Sequence, residues 1–273
     1  MELGGGRGGQ PQTIRALRGR SRPFPNRHRG PSPAYLCAGD RPASLGGDDM
    51  SGVLALVGGG EWTDGCTFDH ELLEASGGGA VLVVPTAAAY ENHEKHVVAA
   101  RNWFESLGAS IAVLDVYTRR DALEDASIAA ANSASFVYFC DGSPMHLRSV
   151  LKDTALWDTI VQRWREGMVL AGAGAGAVVM CDHMVDPRGG AFTVGLGLAT
   201  RLSVIPRYNL WSPEKSHRTV KLAPPGLVVA GVPEHTALLR DAHGAWRAAG
   251  TGPVDVFLHG EKVGLDALPG ENE

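Results

Sequence analysis

The chain has 273 residues, with 25 Lys and Arg against 30 Asp and Glu, a net charge near −5, 44% apolar and 20% charged residues. These are the proportions of an ordinary globular protein, long enough for one large domain or two small ones. Cys37, Cys66, Cys140 and Cys181 share no short spacing, which excludes a disulfide scaffold and any CxxC zinc or redox unit. No apolar run approaches the roughly 18 residues that span a bilayer, and the mildly acidic balance argues against broad nucleic-acid binding.

The charge is uneven. Residues 1–49 carry eight arginines against Glu2, Asp40, Asp48 and Asp49, a segment near +4 that leaves the remainder near −9. Gly and Pro make up about a third of it, against a usual share of about an eighth. Neither helical nor strand periodicity is present, so residues 1–49 read as a disordered or mis-assigned leader, with Met50 a natural start. The segment lacks the apolar core of a secretory signal, and a cytoplasmic protein is expected.

From Met50 strands and helices alternate. Gly52–Val57 is an apolar run ending in Gly58-Gly59-Gly60, and Val81–Val84 is a β-branched run stopped by Pro85. Residues 93–107 place apolar side chains at helical spacing before Gly108, with Asn92 as the expected N-cap. Ile111–Val116 is strand-like, Ala122–Ala131 helical, and Phe136–Phe139 a short strand halted by Cys140-Asp141-Gly142-Ser143-Pro144. Ile160–Glu166 belongs to a helix that Gly167 ends, and Met168–Ala171 is a strand followed by glycines. Apolar strands separated by helices predict an α/β three-layer sandwich around a mostly parallel, flavodoxin-like sheet. Leu202–Ile205, Leu227–Val232 and Val254–Leu258 are expected as antiparallel additions toward the C-terminus, so that residues 50–273 form one domain.

Sites in such sheets form at the carboxyl ends of strands. The most informative loop is Gly172-Ala173-Gly174-Ala175-Gly176-Ala177, where a strand runs through alternating Gly and Ala into a helix. This suits a nucleophile elbow, whose tight turn lifts one residue above the sheet while the next amide serves as an oxyanion donor. A phosphate-binding turn also uses glycine before a helix, but Ala177 breaks GxGxxG and no P-loop Lys follows. Close helix–strand packing is the purely structural alternative.

His93-Glu94-Lys95-His96 is not HExxH and lacks a third ligand, so no metal or other cofactor is expected. Asp182 and Asp186 near Arg188 read as a loop ion pair. Ser212-Pro213 predicts a helix start, with Trp211, His217 and Arg218 as candidates to line a site or as parts of a capped surface helix.

Several blocks in order over residues 52–258 resemble peptidase family S51, the family of dipeptidase E and cyanophycinase, which is similar in fold to class I glutamine amidotransferases. The blocks are the opening strand with its glycine loop, Tyr138 to Ser143, Gly172 to Ala177, Val194 to Leu198 followed by Val204-Ile205, and Val232 to Leu238. The resemblance implies a serine-type peptidase fold, a small peptide or amino-acid-like ligand, and a homodimer.

It also places the family's chemical positions on unsuitable residues. The nucleophile falls at Gly174, and the histidine on Pro206-Arg207-Tyr208-Asn209. Arg207 stays protonated and Tyr208 is a poor base. Asp141 and Ser143 replace the family's first Gly and its Asp, while Glu234 takes the acidic position, where a structural hydrogen bond is expected. Gly142 and the amide of Ala175 are the surviving oxyanion donors. The expectation is a non-catalytic member of the fold. The alternative is a hydrolase of small peptides with a displaced nucleophile, for which Cys140, with His146 nearby, is the candidate; a buried structural cysteine is the competing reading.

Overall fold

A computed structural model describes residues 51–270. The leader assigned to residues 1–49 lies outside the described residues. Four runs, β1 (Leu54–Val57), β2 (Val81–Val84), β4 (Phe136–Phe139) and β5 (Val169–Ala173), are buried at every position. A strand buried on both faces needs apolar side chains without alternation, which is the pattern these runs carry. With β3 (Ile111–Val113), β10 (Thr236–Arg240) and β11 (Trp246–Gly250) they form a seven-stranded sheet in the order β11-β10-β1-β5-β4-β2-β3.

The five strands from β1 to β3 in that order pair in parallel, and β10 and β11 add antiparallel strands at the β1 edge. Helices α1 (Phe68–Ala75), α2 (His93–Ser106), α3 (Asp125–Ser133), α4 (Pro144–Leu151), α5 (Ala155–Arg165) and α6 (Ala175–Met180) connect and flank the parallel strands. Phe104, Phe136, Tyr138 and Phe139 are among the largest fully buried side chains. Leu54 and Leu56 on β1 and Ile160 on α5 join them in one core.

The later runs take a different place from the one expected. β8 (Leu202–Pro206), β9 (Val228–Val232) and β12 (Asp255–Leu258) leave the main sheet and build a four-stranded sheet with β13 (Glu261–Val263), in the order β13-β12-β9-β8. β8 and β9 are parallel, because α7 (Pro213–Lys221) carries the chain back between them. A parallel pair requires such a crossover. A small hairpin of β6 (His183–Val185) and β7 (Phe192–Val194) precedes β8. Asn92 also departs from expectation: it adopts the left-handed region at φ 55° and its side chain makes no capping bond.

Candidate active site

The site is assembled where loops leave the carboxyl ends of β1, β4, β5 and β8, with the β9–β10 loop beside them. β5 ends at Ala173, and the turn into α6 places Gly174 at φ 47°, ψ −103°. That strained conformation, pinned by Gly174 N–H donating to Val57 O at 2.9 Å, is the geometry of an elbow apex. Nothing projects from the apex, because the residue there is glycine.

The space above it is filled from β4. Asp141 follows Cys140 at the strand end, and its Oδ1 accepts the Ala175 N–H and the Gly142 N–H, each at 2.7 Å. These are the two amides expected as oxyanion donors. Gly142 reaches this position at φ 144°, where an added Cβ would lie 2.4 Å from the Ala87 carbonyl oxygen.

The other oxygen, Oδ2, lies 2.6 Å from Arg207 Nη1. Arg207 follows β8 at φ 49° in the left-handed region, tied by its N–H to Gly58 O at 2.7 Å. Its guanidinium also faces Glu234, with Nε 3.4 Å from Oε1. Glu234 is held from the other side by Asn209, whose Nδ2 donates to Oε2 at 3.3 Å and whose Oδ1 accepts the Glu234 N–H at 2.9 Å. Glu234 thereby bridges Arg207 and Asn209 of the segment after β8.

Glu61, on the glycine loop after β1, completes the arrangement. Its Oε1 accepts the Asp141 N–H at 3.0 Å and lies 3.7 Å from His96 Nδ1 on α2. Burial works to raise the Glu61 carboxyl, but the bond to His96 and the Asp141 amide outweigh it and hold the group below its ordinary value. Asp141 shifts the other way. Burial, then the nearby Glu61 charge, raise it, while Arg207 and the two amides pull it back. Each hydrogen-bond or ion-pair partner of the Asp141 side-chain oxygens is a donor, which favours the ionised carboxylate against burial and the Glu61 charge.

The remaining expected residues are placed elsewhere. Ser143 caps α4, its hydroxyl accepting the His146 N–H at 3.3 Å. Cys140 is fully buried, its Sγ within 3.3 Å of the Asp141 carbonyl oxygen, and burial pushes its thiol far above the ordinary range. His146 Nε2 lies 2.9 Å from the Tyr117 carbonyl oxygen. Tyr208 turns to the second sheet, where its ring meets Phe257 at 6.1 Å between centroids and lies against Gly231. His93 packs on Tyr117 while His96 pairs with Glu61, so the two histidines do not converge. Asp186 pairs with Arg188, but Asp182 instead contacts His183 and the Arg201 amide. Cys181 is buried just beyond the end of α6. No group of three metal-ligating side chains occurs among the described residues.

Sequence reasoning missed Glu61, weighed His96 only as a metal ligand and not as the partner of Glu61, and missed what Asp141 does. A carboxylate where the resemblance implies a glycine, next to an amide needed by the chemistry, was the available signal.

The model of peptidase family S51 matches residues 54–246, which include every residue of this arrangement. The chain belongs to peptidase family S51. Cyanophycinases from Trichormus variabilis and from a Nostoc species are each 28% identical over 189 residues, covering 64% of this chain. The match spans 62% of each cyanophycinase. Among solved structures, a peptidase from an acI-B1 Actinobacterium is 29% identical, with a TM-score of 0.71 over 79% of this chain and 94% of that one. A putative peptidase E protein from Listeria monocytogenes shares the fold at 20% identity, with a TM-score of 0.54 over 74% of this chain and all of that one. No helix among the described residues of this S51 member is long and apolar enough to cross a membrane.

Proposed function

We propose that this S51 member has lost acyl-enzyme chemistry and serves as a non-catalytic protein of the peptidase fold. The observation that carries the reading is the Asp141 carboxylate seated on the Gly142 and Ala175 amides above Gly174. Acyl transfer at this elbow needs a nucleophile, and glycine supplies none. It also needs those two N–H groups for the oxyanion that develops on the substrate carbonyl. Loss of a triad member elsewhere leaves about 10³–10⁴-fold catalysis from the oxyanion hole and binding. Here the oxyanion part of that residual catalysis is removed too, because an internal anion occupies the donors.

Arg207 at the histidine position cannot accept a proton, and its charge is matched by Asp141 and Glu234. Cys140 is no substitute, since a reactive thiol needs an exposed, electropositive setting and this one is buried beside carboxylates. A peptide or amino-acid-like ligand at the elbow competes with the Arg207 side chain, which is about half exposed and paired with Asp141.

The test pairs labelling with turnover. The purified protein is treated with a serine-reactive phosphonate, and separately with dipeptides and with cyanophycin, the material named by its relatives. No labelling and no turnover above background are expected. Hydrolysis at an ordinary enzymatic rate, about 1 per second or faster, overturns the reading. The triple variant Asp141→Gly, Gly174→Ser, Arg207→His tests the assignment of positions and is expected to take up the probe.

A further inference from the structure

The loop after β1 carries Glu61 to the Asp141 amide and then, from Trp62 on, lines a cavity of about 640 Å³. Trp62 and Asp64 come from that loop, Ala99, Asn102 and Trp103 from α2, and His235 from the β9–β10 loop. Small-molecule sites are concavities of about 300–1,000 Å³ that combine apolar walls with a few polar groups. Trp62 and His235 hold left-handed backbones, at φ 61° and 56°. Such conformations cost a bulky residue energy and concentrate at functional sites. A Cβ added at Gly60 would lie 2.6 Å from His235 Nε2, so the glycine is what lets the two loops close on each other.

The chemistry of the lining is one-sided. Trp103 donates its indole N–H to Asp69 Oδ2 at 2.8 Å, and the Trp62 N–H is buried from solvent, so both indoles offer ring carbon and no donor. Asp64 is the sole carboxylate of the lining, and no lysine or arginine shares it. It is exposed and makes no hydrogen bond or ion pair among the described residues. An uncompensated carboxylate beside two indoles, whose ring faces are electron-rich, suits a weakly hydrated organic cation. The cavity of about 360 Å³ between α7 and the second sheet, which Trp211 and His217 line, differs: its lining holds no carboxylate, lysine or arginine and singles out no ligand class.

We propose that the cavity between α2 and the loop after β1 binds a small organic cation, held by the Asp64 carboxylate against the rings of Trp62 and Trp103. Neither Asp141, Gly174 nor Arg207 lines it, so the site does not rest on the loss of catalysis.

The test titrates the full chain with choline, following the ligand's methyl resonance by saturation transfer. Saturable binding with a midpoint below about 10 mM is expected. The uncharged isostere 3,3-dimethylbutanol, with carbon in place of the ammonium nitrogen, is expected to bind at least about fivefold more weakly. Asp64→Asn removes the charge at an exposed position. It is expected to weaken choline to the level of the alcohol and to leave the alcohol unchanged. Asn102→Trp, at an exposed position of α2, fills the cavity and is expected to abolish binding of both. No saturable binding of choline, equal binding of choline and the alcohol, or undiminished choline binding in either variant overturns the proposal.

Discussion

The Asp141 carboxylate stands where any side chain on Gly174 has to be. A Cβ added at Gly174 lies 2.1 Å from Oδ1 and 2.4 Å from Oδ2, distances at which something must move. The two positions are therefore coupled: the carboxylate is accommodated because the apex is bare.

Double-variant thermodynamics reads this coupling directly. Gly174→Ala in the native background adds both the clash and the strain of an L residue at φ 47°, with overpacking alone costing about 1–3 kcal/mol. With Asp141→Gly already present only the backbone strain remains. Urea unfolding of the two single variants and the double is expected to give a coupling energy of about 1–3 kcal/mol. Equal cost of Gly174→Ala in both backgrounds contradicts the placement of Asp141.

Arg207 is the counter-charge that makes the arrangement stable. Removing it as Arg207→Met leaves Asp141 on its two amides and Glu234 on Asn209 without a cation. Breaking a fully buried pair costs about 3–5 kcal/mol, and the half-exposed guanidinium reduces this to about 1–2 kcal/mol. The cost depends on pH. Asp141 already titrates above its ordinary value and shifts further upward without Arg207, so the penalty is largest where the carboxyl is ionised and shrinks as acid protonates it. Unfolding free energies of the variant and the native protein are expected to diverge near neutral pH and to converge as acid protonates Asp141.

The sequence was legible where a single local rule decides the structure. β2 and β4 fall on Val81–Val84 and Phe136–Phe139 as read, because each is a short wholly apolar run closed by Pro85 or by Cys140-Asp141-Gly142. α7 begins at Pro213 with Ser212 accepting the Lys215 N–H, the cap that the Ser-Pro pair announces. The second sheet was not legible, since nothing local in Leu202–Ile205 says that it pairs with Val228–Val232 rather than with the main edge. In the site, Gly174 and Arg207 were readable from their motifs. The filling of the oxyanion donors was not, because it depends on the β4 and β5 loops meeting through space.

Cys140 separates a displaced-nucleophile enzyme from a structural thiol. The side chain is fully buried, and burial followed by the Glu61 charge raises its pKa far above neutrality. Iodoacetamide at neutral pH is expected to leave Cys140 unmodified in the folded protein and to alkylate it fully in denaturant, with peptide mass mapping as the readout. Rapid modification in the folded state means that the β4 end is open to solvent and that the thiol is activated.

Asp69 gives the chain a pH dependence of its own. It lies fully buried in the first turn of α1, where Oδ2 accepts the Trp103 indole N–H at 2.8 Å and Oδ1 has no hydrogen-bond partner. Burial, opposed by the Trp103 bond and reinforced by Glu61, pushes the carboxyl up to about 8 from 3.8. The folded chain therefore holds a proton that the unfolded chain releases between those values. The stability this contributes is complete below the unfolded value and is lost as pH rises through the folded one, at up to roughly 1.4 kcal/mol per pH unit. Asp69→Asn keeps an acceptor for Trp103 and removes the titration. Native stability measured against the variant is expected to fall steadily from about pH 5 to about pH 8. A difference independent of pH over that range means that Asp69 is ionised in the folded protein, and that a counter-charge or water reaches it behind Trp103.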